Sequence, residues 1–199
     1  MEENIYPFFD GILEKSDKEL LLRQRSKVLW MSGLSGAGKS TIAKELEKRL
    51  YSQGFLTLIL DGDNIRVGIN NNLGFSDNDR TENIRRIAEV SKLIVNSGVI
   101  VINSFISPNE KVREMAQEII GKENFVNIYI NASLACCEKR DIKGLYKKAR
   151  KGEIANFTGI DSVFEPPLSA DIEIPTDEQT VEESVNQLLE FILPLITYQ

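Results

Sequence analysis

One nonapeptide, Gly33-Leu34-Ser35-Gly36-Ala37-Gly38-Lys39-Ser40-Thr41, constrains this chain more than any other stretch, because it fits the pattern G-x-x-x-x-G-K-[ST]. Before it runs Lys27-Val28-Leu29-Trp30-Met31, an apolar stretch that reads as a buried strand. After it, Ile42, Leu46 and Leu50 recur at helical spacing. A strand, a glycine turn and a helix in that order form a phosphate-binding loop. A triphosphate must be held by many backbone N–H donors at once, and glycines let the main chain close around it. The cradle expected here runs from Gly33 through Ser35, Gly36, Ala37 and Gly38 to Thr41. Lys39 would reach the β and γ phosphates, Ser40 would ligate Mg²⁺, and the helix would aim its positive dipole end at the anion.

The remaining composition narrows the partners. With 199 residues, 42% of them hydrophobic, the chain can bury one sizeable core. We expect residues 1–26 to be an extension and 27–199 a single domain. A net charge of −6 argues against general capture of nucleic acid or an anionic membrane, so a small-molecule acceptor is expected. The start, Met1-Glu2-Glu3-Asn4, is acidic and no apolar signal core follows. The adjacent Cys136 and Cys137 are too few for a disulfide framework or a cysteine metal site, and they read as reduced thiols of a cytoplasmic protein.

Apolar runs alternate with longer segments of helical period. Strands are predicted at Val28–Met31, Leu56–Leu60, Val99–Asn103, Val126–Ile130 and Ile172–Ile174. Helices are predicted near 40–53, 79–97, 109–120, 133–140 and 180–193. That rhythm gives an α/β fold of three layers, a parallel sheet flanked by helices, with ligands at the carboxyl ends of its strands. In the extension, Ser16-Asp17-Lys18-Glu19 reads as a helix start.

Four further clusters follow the glycine loop along the chain, two of them just past predicted strand ends. Asp61-Gly62-Asp63 puts two carboxylates beside the glycine loop, which suits Asp61 to organising metal and Asp63 to accepting the proton of an attacking hydroxyl. The same residues also suit a tight turn. Phe75, Arg80, Asn83 and Arg86 follow, an aromatic and arginines that suit a planar base with an anionic tail, or else a core cap and a solvated face. Ser107 either hydrogen-bonds substrate or caps a helix with Pro108 at its first position. The stretch from Lys139 to Gly152 is the most basic of the chain and reads either as a solvated charge run or as a cationic flap closing over phosphate.

In their order and spacing these clusters resemble the adenylylsulfate kinase family from about residue 28 to 190. The carrying segments are the glycine loop, Asp61-Gly62-Asp63-Asn64-Ile65-Arg66, Leu73-Gly74-Phe75-Ser76, Phe105-Ile106-Ser107-Pro108, Arg140-Asp141 with Lys143-Gly144-Leu145-Tyr146, and Asn156-Phe157-Thr158-Gly159-Ile160-Asp161. The resemblance implies a P-loop kinase fold with a mobile lid at about 140–160. It also implies transfer of the γ-phosphoryl of ATP, with Mg²⁺, to the ribose 3′-hydroxyl of adenosine 5′-phosphosulfate (APS). Phe75 and Phe157 would sandwich the acceptor's adenine, and Arg66, Arg80 and Asn83 would hold its sugar and phosphosulfate. Lys143 and Asn156 belong to the implied lid, backbone at Ile106-Ser107 touches the acceptor, and Arg140 belongs to the nucleotide side. Lys39, Asp61, Asp63 and Ser107 are the implied catalytic set, and a homodimer is the implied assembly. Where the family commonly has an aromatic and a basic residue after Ser-Pro, this chain has Asn109-Glu110, one positive charge fewer.

Two other classes stand beside this one. A guanine-nucleotide switch would need N-K-x-D, yet no asparagine here precedes a lysine. A non-catalytic nucleotide-binding module is countered by Lys39, Ser40, Asp61 and Asp63 standing together. Among enzymes, the alternative is a small phosphotransferase of the same fold acting on a nucleoside monophosphate or a sugar acid.

Overall fold

The structure, a computed structural model, describes residues 11–198. In chain order the elements are α1 (Lys15–Leu22), β1 (Val28–Ser32), α2 (Lys39–Ser52), β2 (Thr57–Asp61), α3 (Gly62–Arg66), α4 (Asp77–Val95), β3 (Ile100–Ser104), α5 (Glu110–Ile120), β4 (Phe125–Asn131), α6 (Leu134–Arg140), α7 (Leu145–Arg150), β5 (Ile172–Pro175) and α8 (Val181–Ile196). The five predicted strands appear within one residue at each end. Among the predictions, α3 and α7 were not foreseen, since segments of five and six residues are too short to show a helical period.

All strand pairs are parallel, in the order β2-β3-β1-β4-β5. Each predicted apolar run explains its place: β1 and β3 are buried along their whole length in the sheet's centre. One face buries Leu29, Met31, Ile102 and Ile128 under α2 and α8, including Ile42, Leu46, Leu188 and Ile192. The other buries Val28, Trp30, Val101 and Phe105 under α4 and α5, including Ile84, Ile87 and Val112. This is the three-layer fold expected, with helices on both faces of the sheet. The topology sends β1 out to the edge strand β2 and brings β3 back between them. The loops after β1, β2 and β3 therefore open side by side at the carboxyl edge.

Two cap expectations are corrected. Helix α1 begins after Glu14, in a capping box with Asp17, and not at Ser16. The carboxylate of Glu19, which the sequence pattern assigns to that cap, instead accepts from the backbone N–H and the hydroxyl of Ser26, both at 2.7 Å. Helix α5 is capped by Asn109, whose side chain accepts from the Val112 N–H at 3.1 Å, so Ser107 is not its cap and Pro108 is not its first residue. Among the described residues, no helix is long and apolar enough to cross a membrane.

Candidate active site

The loops after β1, β2 and β3, with α7 and the segment after it, enclose a cavity of about 650 Å³. Its donor half is the glycine loop. Gly33 has φ 149°, and an added Cβ would lie 2.4 Å from the Ile130 carbonyl oxygen, so only glycine fits there. Helices α4, α5, α6 and α8 have side-chain caps from Ser76, Asn109, Ser133 and Thr180. Helix α2 starts at Gly38 with no side-chain cap, leaving its first N–H groups available to an anion.

Lys39 is buried, and its Nζ donates to the carbonyls of Gly33 at 2.9 Å and Leu34 at 2.7 Å. Burial pushes its pKa down to about 8, outweighing the attraction of Asp61 and Asp63. The ammonium thus waits inside its own loop. Arg140 does not line the cavity. It braces the loop from behind, donating to the carbonyls of Gly36 and Ala37 at 3.4 and 3.3 Å and to the Thr176 carbonyl at 2.5 Å. The Thr176 hydroxyl donates to the same Ala37 carbonyl at 2.7 Å.

Ser40 and Asp61 meet at the cavity floor, the serine hydroxyl donating to Asp61 Oδ2 at 2.6 Å, with Ser104 Oγ 3.2 Å from Ser40 Oγ. The other oxygen of Asp61 accepts from the Asp63 N–H at 3.1 Å and caps α3. One carboxylate therefore serves both the turn and the site, joining the two readings of Asp61-Gly62-Asp63. Hard oxygens from one carboxylate and one hydroxyl are the donor set that Mg²⁺ takes when phosphates and waters complete its shell. The residues present fit that ion. No group of three or more Asp, Glu, His or Cys stands ready for a metal among the described residues, so an ion here would rely on substrate oxygens.

The acceptor half is made of side chains. Asp63 is exposed and its carboxylate is paired with the ammonium of Lys143, which lies between α6 and α7. Arg66 lies 4.5 Å over the Phe75 ring and donates to the Leu73 and Gly74 carbonyls at 3.2 and 2.9 Å. Burial, then the neighbouring Arg80, lowers the pKa of Arg66, as expected where cations converge. Arg80 reaches across to the segment after α7, donating to Thr158 Oγ1 at 2.5 Å and to the Asn156 carbonyl. Asn83 also lines the cavity. Phe157 packs edge-on against Tyr146, ring centroids 4.9 Å apart, and the Tyr146 hydroxyl donates to the Ser35 carbonyl at 2.8 Å. The segment after α7 is thereby fastened to the glycine loop itself.

Ile106 and Ser107 also line the cavity. Ser107 has φ 46° and is buried; its hydroxyl accepts from the Trp30 indole N–H at 3.0 Å, and its carbonyl accepts from Arg113 at 2.7 Å. Arg113, itself buried, is paired with Glu110 at 2.6 Å. The Asn109-Glu110 pair that departs from the family pattern thus has structural work, one residue capping α5 and the other neutralising a buried arginine.

Of the basic stretch Lys139–Gly152, only Lys143 brings a cation into the cavity. Lys147, Lys148 and Arg150 are exposed, and Arg150 pairs with Glu138 at 2.5 Å. Helix α7 turns Tyr146 and Ala149 inward, which leaves the intervening cations in water. The basic stretch therefore divides between its two readings, with Lys143 at the cavity and Lys147, Lys148 and Arg150 solvated. The sequence also missed Thr158 as a partner of Arg80, Ser104 as a partner of Ser40, and Trp30 with Arg113 as the supports of Ser107. Nothing local signals these contacts, which join residues far apart in the chain.

Comparison with known proteins agrees with this arrangement. A curated adenylyl-sulfate kinase of Bacteroides fragilis is 58% identical over 199 residues, covering 99% of this chain and 98% of its own length. One of Bacteroides thetaiotaomicron is 59% identical over 198 residues, covering 98% of each chain. Among solved structures, the Mycobacterium tuberculosis APS kinase in complex with AMPPNP and APS superposes with a TM-score of 0.82 at 38% identity, covering 85% of this chain and 98% of that one. The sequence model of adenylylsulphate kinase matches residues 25–175, a span that includes the glycine loop, both aspartates and the segment after α7 up to residue 175. By motif, cavity and full-length likeness alike, the chain belongs to the adenylylsulphate kinase family.

Proposed function

We propose that this chain transfers the γ-phosphoryl of ATP to the ribose 3′-hydroxyl of adenosine 5′-phosphosulfate, releasing ADP and 3′-phosphoadenosine 5′-phosphosulfate. The observation that carries the reading is one cavity with two unlike halves. A buried loop for polyphosphate faces a wall of aromatics and arginines, and Asp63 stands at the junction. A dinucleotide-sized charge load needs both: backbone N–H groups and Lys39 for the donor, Arg66, Arg80 and Lys143 for the acceptor. The M. tuberculosis relative was solved with AMPPNP and APS together, which supports the same pairing of ligands.

The chemistry follows from position more than from reactive groups. The ribose 3′-oxygen forms a bond to the γ-phosphorus as the bond from that phosphorus to the β,γ-bridging oxygen breaks, and ADP keeps that electron pair. Asp63 orients the attacking hydroxyl and accepts its proton as the transfer proceeds. Lys39 neutralises charge on the β and γ oxygens. Ser40 and Asp61 would hold Mg²⁺, which supplies further neutralisation of the phosphates. Lys143 must leave Asp63 for the base to act, and an arriving phosphosulfate offers it another anion. Acceptor binding thus frees Asp63 and draws the lid cation onto the substrate. Ser107 serves as a support of the acceptor wall, because its hydroxyl is buried and already accepts from Trp30. A homodimer in a cytoplasm with reduced thiols belongs to the same reading, as does a lid spanning about 140–160 on a domain of residues 27–199.

The test is ADP release by the protein with MgATP and, in parallel, APS, AMP or no acceptor, with product mass determined. Turnover confined to APS with one phosphate gained is the expected result. Turnover with AMP alone, or with neither while ATP still binds, would replace the acceptor assignment.

A further inference from the structure

An asparagine amide can face a ligand with two N–H donors or with one acceptor oxygen, and the two faces have opposite polarity toward an anion. Asn83, almost fully buried in the acceptor wall, has this choice to make. We propose that Arg86 and Asn70 form a relay that fixes the polarity of the Asn83 amide, so that its Nδ2 presents donors to the anionic acceptor and Asn70 acts as a positioning residue for it. The inference rests on the phosphosulfate reading given above.

Arg86 anchors the relay because a guanidinium has donors and no acceptor. Its Nε donates to Glu82 at 2.8 Å, and its Nη1 faces three oxygens: Asn72 Oδ1 at 2.8 Å, the Ile69 carbonyl at 3.3 Å and Asn70 Oδ1 at 3.5 Å. The oxygen of Asn70 therefore points at the arginine, and its nitrogen points the other way. There it donates to Asn83 Oδ1 at 3.0 Å. Asn70 is completely buried, so no bulk water can take over either role. With its oxygen used, Asn83 turns Nδ2 to the cavity, where that nitrogen has no acceptor among the described residues. Turning Asn83 over would set two NH₂ groups against each other inside the protein. A fixed cation thus dictates, through two amides, that the acceptor wall donates.

Reversing the polarity of the middle residue tests this. Asn70→Asp can only accept when ionised, so Asn83 would turn its nitrogen inward and show its oxygen to the phosphosulfate. The KM for APS should rise about tenfold, and about threefold for Asn70→Ala, which merely unlocks the amide. The KM for ATP should stay within about twofold in both, with thermal midpoints measured for each variant. If the buried Asp prevents folding, Arg86→Met should raise the KM for APS about threefold and Arg86→Lys, which keeps a donor, should restore it. An Asn70→Ala effect equal to or larger than that of Asn70→Asp would overturn the relay. So would equal shifts in both KM values, or unmoved values in the Arg86→Met protein. Unchanged variants beside an active parent overturn the relay alone, whereas a parent that does not use APS overturns the substrate reading and the relay with it.

Discussion

The donor and acceptor halves of the cavity differ in what builds them. Backbone makes the donor half: glycine torsions, uncapped N–H groups of α2 and a lysine held by its own loop's carbonyls. Side chains make the acceptor half, and several of them pair with one another, Lys143 with Asp63, Arg80 with Thr158, Arg66 with Phe75. The donor half therefore depends on main-chain geometry, while the acceptor half depends on pairs of side chains brought together from distant parts of the chain.

The sharpest way to break this contrast is Asp63→Ala. If the acceptor half carries the proton transfer, turnover should fall about 10²- to 10⁴-fold while the Kd for ATP stays within a few fold. Steady-state turnover and equilibrium ATP binding check both parts, and an equal loss of ATP binding would erase the division. Gly33→Ala attacks the other half. A methyl pressed onto the Ile130 carbonyl oxygen, at a φ that side chains avoid, should weaken ATP binding about a hundredfold. Binding of APS alone should change far less, and calorimetry with each ligand separates the two.

The same contrast explains what the sequence could reveal. The glycine loop is legible because its requirement is local, each glycine answering to a torsion or a close approach within a single turn. The five strands are legible because burial on both faces leaves continuous apolar runs. The acceptor half is built across long chain separations, Arg80 to Thr158 and Tyr146 to Ser35, and no local pattern encodes such pairs. Asp63, Phe75, Arg80 and Asn83 stand out by residue type, whereas Arg66 and Phe157 gain a role only through the family's ordered segments. Even then the contacts were invisible, and so was the reason for Asn109-Glu110, which lies in the buried Arg113 one turn further on. Ser107 shows the same limit: the local pattern offers a cap, and the packing of Trp30 decides otherwise.

A smaller effect tests whether the acceptor half depends on aromatic stacking. Phe157→Ala should raise the KM for APS about tenfold or more, since base stacking on one ring contributes about 1–3 kcal/mol. The KM for ATP should move by less than threefold, although Phe157 also rests on Tyr146 and through it on Ser35. Equal shifts for the two substrates would mean that this edge-on contact, and not stacking on adenine, is the chief service of the ring.

The smallest effect concerns protons in the donor half. Burial lowers the pKa of Lys39 to about 8, so the lysine is charged below that pH and increasingly neutral above it. A polyphosphate prefers the ammonium and must raise that pKa on binding. Nucleotide binding should therefore take up close to one proton near pH 9 and little at pH 7, and the Kd for ATP should rise several fold between them. Calorimetry in buffers of different ionisation enthalpy reads the uptake directly. APS binding does not involve Lys39 in this division, so its proton uptake at pH 9 should be near zero. Uptake of similar size for both ligands would show that the two halves titrate as one site, and that the lysine waiting in its loop is poised by the acceptor as much as by the nucleotide.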